Sequence, residues 1–184
     1  MELTKKNRED LIFFYPYLLP RNIWTDEKVE DYDYEYIRGE RELPEGWFPL
    51  FLQMCSDISY PLIEAEYLNN FRFSQIKEKY NSMRCYNFGA PKKVHDIIQK
   101  YEVMSSYVCT KCGKPATKET QGWLMSFCDD CCKEEYGPTE PIEFKTYYNI
   151  ERYNGDGEAI TERVDFFEEW NRYLNLINNE KREI

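Results

Sequence analysis

Four of the seven cysteines form two CxxC pairs that could bind one metal ion. Cys109 and Cys112 are the first pair, and Cys128 and Cys131 follow after an interval of 15 residues. A CxxC turn can direct two sulfur atoms to one point, and two such turns supply the four thiolates of a tetrahedral zinc site. The spacing therefore predicts a zinc ribbon that holds one structural Zn²⁺.

The remaining cysteines leave one ambiguity at this site. Cys132 directly follows Cys131 and is an alternative fourth ligand, although the x2 spacing favours Cys131. Cys55 and Cys85 lie in apolar surroundings, so we expect them to be small buried side chains. An odd number of cysteines does not suit a secreted disulfide framework, and we predict a reducing, cytoplasmic location.

The predicted metal site is of the kind that stabilises a fold and does not catalyse. Four thiolates leave no coordination position for water or substrate. The chain has one histidine, His95, and contains no P-loop, GxGxxG, HExxH or GxSxG motif. No carboxylate pair stands out as an acid–base pair; the candidates are Glu64, Glu66, Asp129 and Asp130. We therefore predict that the protein is not an enzyme.

Hydrophobic periodicity predicts an α+β fold, in which helices pack on a small antiparallel sheet. Helices are predicted over residues 5–19, 47–60, from Pro91 to about Met104, and 165–180; strands are predicted over 71–79, 83–88 and 142–153. Pro16 should kink or end the first helix. Pro61 should interrupt the second, although residues 62–67 could continue as a second helical segment. We expect Asn81 and Ser82 at the turn of the first hairpin.

The predicted elements divide the chain into three parts. Residues 1–108 form a helical and hairpin core, residues 109–132 the ribbon, and residues 133–184 a strand–helix extension. No stretch of about 18 apolar residues is present, so we expect no membrane span. The apolar stretch near the N-terminus is short and lacks a small-residue cleavage site, which argues against a signal peptide.

The net charge of −10 opposes a general attraction to nucleic acid. Residues 25–45 are acidic and rich in tyrosine, and they are predicted to form either a short edge strand or a loop. A partner-binding surface is predicted there; its residues are Tyr32, Asp33, Tyr34, Glu35 and Tyr36.

Several phrases of the sequence recur in a known order. They are Tyr15-Pro16, Gly46-Trp47, residues 75–80, residues 83–86, Cys109 to Pro115, Gly122-Trp123 and Cys128. In this order they resemble a group of small uncharacterised proteins that are common in bacteriophages and prophages. The resemblance covers roughly residues 8–132 and implies a phage setting without a mechanism. The chain departs from the group at residues 25–45, at Asn81-Ser82, where a glycine is usual, and in residues 133–184.

Two functions are compatible with these features. The first is a non-enzymatic phage protein that binds a host or phage protein and inhibits, for example, a host defence factor. The alternative is a nucleic-acid-binding accessory protein that acts through the ribbon, with Trp123 or Phe127 stacking on a base. The lysines that would contact phosphates are Lys92, Lys93, Lys100, Lys111, Lys114 and Lys118.

Overall fold

The computed structural model describes residues 5–19, 21, 22, 25, 27, 43–87, 89–153 and 155–179, with the backbone alone at 5–9. The helices are α1 (Lys5–Phe14), α2 (Phe48–Glu64), α3 (Lys92–Ser105) and α4 (Phe167–Asn179). The strands are β1 (Phe73–Glu78), β2 (Met83–Asn87), β3 (Lys118–Thr120), β4 (Ser126–Phe127), β5 (Thr139–Pro141), β6 (Tyr147–Tyr153) and β7 (Ala159–Asp165). All strand pairs are antiparallel, which confirms the α+β class.

Helix α2 lies at the centre of the hydrophobic core. Its buried face includes Leu50, Phe51, Met54 and Ile58, whose spacing of three and four residues places them on one side of the helix. Pro61 was expected to interrupt this helix, and that prediction is wrong, because α2 continues to Glu64. Proline removes one backbone donor, but Pro61 lies in the last turn and its ring is buried in the core.

The other predicted helices have the expected positions. Helix α1 ends at Phe14, two residues before Pro16. Helix α3 buries Val94, Ile98 and Tyr101 against α2 and the first hairpin. In α4 the side chains of Trp170, Tyr173 and Ile177 are buried, whereas Phe167 is exposed.

The β1–β2 hairpin forms within the two predicted strand ranges, but its turn is shifted. Ile76 pairs with Cys85, and both are buried against the core. Tyr80 and Asn81, not Asn81 and Ser82, are the central turn residues, with φ of 53° and 56°. Lys79 and Ser82 exchange both backbone hydrogen bonds at 2.9 and 3.2 Å, as in a type I′ turn.

The ribbon is a three-stranded sheet, in the order β4-β3-β5. Strand β5 comes from residues 139–141, so the ribbon sheet continues beyond Cys132, where the sequence analysis ended the module. Strands β6 and β7 form a separate hairpin. Strand β6 is shorter than the predicted 142–153, and β7 was not predicted. Among the described residues, no helix has the length and apolar character needed to cross a membrane.

Candidate metal centre

The two cysteine pairs meet between the end of α3 and the ribbon sheet. The sulfur atoms of Cys109, Cys112, Cys128 and Cys131 all lie within 4.8 Å of one another. Cys112 Sγ and Cys128 Sγ are 3.6 Å apart. Cys109 and Cys128 are buried, whereas Cys112 is exposed. These four cysteines, which form no disulfide, could hold a metal ion; Cys132 is outside this group.

Backbone hydrogen bonds form the first knuckle around Cys109 and Cys112. The Cys109 N–H donates to Lys114 O at 2.8 Å, and the Gly113 N–H donates to Cys109 O at 3.0 Å. Gly113 has φ of +75°, a left-handed conformation that glycine adopts without a steric penalty. The chain therefore turns back directly after Cys112, which keeps its sulfur close to that of Cys109.

The second knuckle forms at the end of β4. Cys128 O accepts hydrogen bonds from the N–H groups of Cys131 and Cys132 at 3.1 and 3.0 Å. Just before it, Phe127 is fully buried and stacks on Tyr136 with a centroid distance of 4.7 Å. The stacked rings form a small second core under the knuckle. This core fixes the position of Cys128 at the end of β4.

The pKa values of Cys109 and Cys131 shift in opposite directions. Burial alone would raise the pKa of Cys109, but backbone N–H groups of Cys128, Cys112 and Lys111 donate to its sulfur and leave its pKa below the usual value. Burial, together with the neighbouring thiols of Cys112 and Cys128, raises the pKa of Cys131 well above its usual value. A cation among the sulfurs would relieve this conflict, because it favours the thiolate form of every ligand.

The segment that precedes α2 lies against the first knuckle. The Gly46 N–H donates to Thr110 O at 3.0 Å, and Trp47 Nε1 donates to Val108 O at 3.0 Å. A Cβ atom at Gly46 would lie 2.1 Å from Cys109 O, which is far inside van der Waals contact. A residue without a side chain is therefore required where the core helix begins.

The last helix also contacts this knuckle. The Tyr173 hydroxyl donates to Gly113 O at 2.5 Å, and Tyr173 is fully buried. The cysteine loop thus contacts both the start of α2 and the middle of α4. The CxxC spacing indicated the four clustered cysteines, but no sequence pattern indicated these supporting contacts. Gly46 and Trp47 stood out in the sequence only as part of a recurring phrase.

A further buried contact joins the ribbon to the β1–β2 hairpin. Asn81 Nδ2 donates to Ser126 Oγ and to Glu119 Oε1, both at 2.6 Å. Ser126 Oγ in turn donates to Ser106 O at 2.6 Å. The ribbon strand β4 is therefore fixed to the hairpin turn and to the end of α3.

Most lysines proposed to contact nucleic acid are paired with carboxylates. Lys114 contacts Asp130 at 2.5 Å, and Lys118 contacts Asp129 at 3.0 Å. The pairs that involve helix α3 are Lys92 with Asp96, Lys93 with Glu64, and Lys100 with Glu169.

The two proposed stacking residues have opposite environments. Trp123 is 77% exposed, whereas Phe127 is buried and cannot stack on a base. The predicted partner residues Tyr32, Asp33, Tyr34, Glu35 and Tyr36 lie outside the described residues.

Comparisons of the chain with known protein families, with characterised proteins and with solved structures found no match in any of the three.

Proposed function

We propose that the chain is a non-enzymatic binding protein, in which a structural Zn²⁺ held by Cys109, Cys112, Cys128 and Cys131 stabilises a ribbon that contacts a partner protein. The observation that carries this proposal is the indole of Trp123, which is 77% exposed. It lies on a turn whose backbone groups are fixed by hydrogen bonds. A large apolar side chain in that position contributes little to the core and is suited to a protein interface.

The sulfur positions are compatible with the tetrahedral geometry of zinc. Zinc–sulfur bonds of about 2.3 Å in a tetrahedron place the sulfurs about 3.8 Å apart. The 3.6 Å between Cys112 Sγ and Cys128 Sγ is close to that separation. Four thiolates also leave no position for a reactive water, so the expected role of the ion is to stabilise the knuckles.

The Trp123 turn is ordered before any partner binds. Thr120 Oγ1 donates to Trp123 O at 2.6 Å and accepts a hydrogen bond from the Met125 N–H at 2.9 Å. The Gln121 N–H donates to Pro138 O at 3.0 Å, which ties the turn to the start of β5. A preorganised turn loses little conformational entropy on binding, so more of the interface energy appears as affinity.

Three of the four carboxylates considered for catalysis form ion pairs with lysines, and the fourth is exposed. Asp129 and Asp130 pair with lysines on the ribbon surface. Glu64 pairs with Lys93, and Glu66 is an exposed residue after the end of α2. These positions favour a binding function over an enzymatic one.

The lysine pairs also argue against the ribbon as a nucleic-acid surface. Each ammonium group within 4.0 Å of a carboxylate contributes little net positive charge to a phosphate backbone. The resemblance to bacteriophage proteins makes a host protein in the bacterial cytoplasm, such as a defence factor, the partner class to test first. The acidic segment around Tyr34 stays a prediction as a second contact.

The test is affinity capture from a bacterial lysate with the wild-type chain, Trp123→Ala and Tyr153→Ala. Tyr153 is 74% exposed on the separate β6–β7 hairpin, so its variant controls for the general loss of an exposed aromatic ring. We expect Trp123→Ala to weaken the complex by about 2 kcal/mol or more, and Tyr153→Ala to leave it unchanged. Calorimetry with the purified partner measures the difference.

A chain that captures no protein, or a complex insensitive to Trp123→Ala, would contradict the proposed surface. Deletion of residues 26–42 is the third arm of the experiment. If that deletion alone abolishes capture, the partner binds the acidic segment and not the ribbon turn.

A further inference from the structure

The β1–β2 hairpin has one face toward the core and one face away from it. Side chains alternate along a strand, and Ile76, Met83 and Cys85 are buried on the inner side. The opposite side is called here the hairpin outer face; its residues are Gln75, Lys77, Lys79, Arg84 and Tyr86, with Tyr80 at the adjoining turn. The six residues named include three cations and no carboxylate, in a chain whose net charge is −10.

Two of these cations differ from the lysines around the ribbon. Among the described residues, no carboxylate lies within 4.0 Å of the ammonium group of Lys77 or Lys79, although such pairs occur at Lys92, Lys114 and Lys118. Arg84 faces the Glu102 carboxylate at 3.6 Å and is partly neutralised. Lys77 and Lys79 are therefore available to an anionic ligand.

Each of these lysines lies next to an exposed tyrosine ring. Lys77 Nζ is 5.3 Å from the centroid of Tyr86, which is 43% exposed. Lys79 Nζ is 5.4 Å from the centroid of Tyr80, which is 75% exposed. The face thus combines two flat rings with two ammonium groups along one strand pair.

Tyr80 occupies a backbone conformation that does not suit it. Its φ of 53° lies in the left-handed region, which is costly for a bulky residue and which asparagine or glycine adopts more readily. Its ring is mostly exposed, so packing does not explain the choice of tyrosine. Strain of this kind is often retained where the side chain has a binding role.

The outer face is held in place by contacts on the other edge of β2. The Cys85 N–H donates to Glu102 Oε1 at 2.7 Å, and the Met83 N–H donates to Ser105 Oγ at 2.7 Å. Both acceptors belong to helix α3, which therefore occupies the hydrogen-bonding edge of β2. A ligand on the outer face would meet a surface that is already ordered.

We propose that the hairpin outer face binds single-stranded nucleic acid, with Lys77 and Lys79 at phosphates and with Tyr80 and Tyr86 stacking on bases. Single strands use both features at once, because they present a regular anionic backbone and unpaired flat bases. An acidic peptide would use the ammonium groups but has no comparable surface for the two rings. This function is additional to the protein-binding function proposed above.

The experiment measures fluorescence anisotropy of a labelled oligothymidine of about 12 nucleotides with the full metal-loaded chain. Binding through two ammonium groups predicts a slope of about −1.4 for log affinity against log salt concentration. The Lys77→Gln/Lys79→Gln variant should bind about tenfold more weakly or worse. The matched control is Lys92→Gln/Lys93→Gln, which removes the same charge from exposed positions on α3 and should change affinity less than twofold.

The ring contribution is tested separately with Tyr80→Asn. Asparagine suits the left-handed turn, so this variant should be at least as stable as the wild type to urea. We expect its affinity for the oligonucleotide to fall about tenfold, since stacking of one base on an aromatic ring is worth about 1–3 kcal/mol. Weaker binding by a more stable protein could not be attributed to unfolding.

Three results would overturn this proposal. One is an absence of oligonucleotide binding at protein concentrations of about 100 µM in low salt. Another is an equal loss in both double-lysine variants, which would indicate a general charge effect. The third is unchanged affinity in Tyr80→Asn with full displacement by polyglutamate, which would indicate a site for acidic protein segments. Capture of a protein through Trp123 is measured independently and would be unaffected by any of these results.

Discussion

The hydroxyl of Tyr173 in helix α4 donates a 2.5 Å hydrogen bond to the carbonyl oxygen of Gly113 in the first cysteine knuckle. The two residues are 60 positions apart, and the contact is buried. Through it the C-terminal helix is joined to the predicted metal site, which is in turn joined to the start of α2 by Gly46. The knuckle thus connects parts of the chain that are far apart in sequence.

Replacing Tyr173 with phenylalanine tests this connection. Tyr173→Phe keeps the ring but leaves the buried Gly113 carbonyl without its donor, so we expect the free energy of unfolding to fall by about 1–3 kcal/mol. Urea denaturation followed by tryptophan fluorescence measures the change. Tyr153→Phe, at a residue that is 74% exposed, should remain within about 0.5 kcal/mol of the wild type. Equal stability of both variants would show that the hydroxyl contributes nothing.

Gly46→Ala tests the close approach of the two backbone segments. The new methyl carbon would lie 2.1 Å from Cys109 O and 2.7 Å from Gly113 N, and backbone atoms on both sides cannot easily move. We expect a loss of about 3 kcal/mol or more and lower metal content. Differential scanning fluorimetry and elemental analysis of the same preparations measure both effects.

The control for this variant is Gly155→Ala in the turn between β6 and β7. A Cβ atom there meets no atom within 4 Å, and the glycine has no left-handed φ. Its stability and metal content should match those of the wild type. If Gly46→Ala also matched the wild type, the contact between Gly46 and the first knuckle would be looser than the structure describes.

Local sequence pattern was sufficient for most of the helices and for the four cysteines that cluster together. The buried spacing of Val94, Ile98 and Tyr101 repeats every three or four residues, which is the direct signature of a helix face. The two CxxC pairs likewise place their sulfurs by local backbone geometry. Such features depend on neighbours in sequence and are therefore visible without tertiary structure.

Features that depend on distant contacts or on unusual backbone were missed. Strand β7 has six exposed residues of seven, so it shows no apolar alternation that would identify it. The hairpin turn was misplaced by one residue because tyrosine is a rare choice at a left-handed position. The sequence around Tyr173 gives no indication that its hydroxyl forms a buried hydrogen bond, since the partner of that hydroxyl lies 60 residues away.

Two serine variants test the choice of ligands. Cys109→Ser removes a buried ligand from the four-sulfur group, and we expect the bound metal to fall from about one ion per chain to nearly none, with a large loss of stability. Cys132→Ser removes a sulfur outside that group and should retain the metal. Mass spectrometry of metals in purified protein gives the stoichiometry. Equal losses in both variants would mean that Cys132 is a ligand.

Glu102 gives a prediction about pH. Burial beneath the hairpin raises its pKa above the usual value of 4.5, although the Cys85 N–H and Arg84 partly oppose that shift. The folded protein therefore holds this proton more tightly than the unfolded chain does. By linkage, the stabilisation from protonated Glu102 is complete below the unfolded pKa and is lost as pH rises through the folded pKa.

Glu102→Gln removes this titration while keeping an oxygen that can accept the Cys85 N–H. The free energy of unfolding of the wild type, relative to that of Glu102→Gln, should therefore fall as pH rises from below 4.5 toward neutrality. Urea denaturation of both proteins at several pH values measures this difference. Glu64→Gln is the control, since that carboxylate is about half exposed and pairs at the surface with Lys93. A difference that does not change with pH would show that Glu102 has the same pKa in the folded and unfolded protein. A difference that moves in favour of the wild type would show that Arg84 and the Cys85 N–H stabilise the ionised carboxylate.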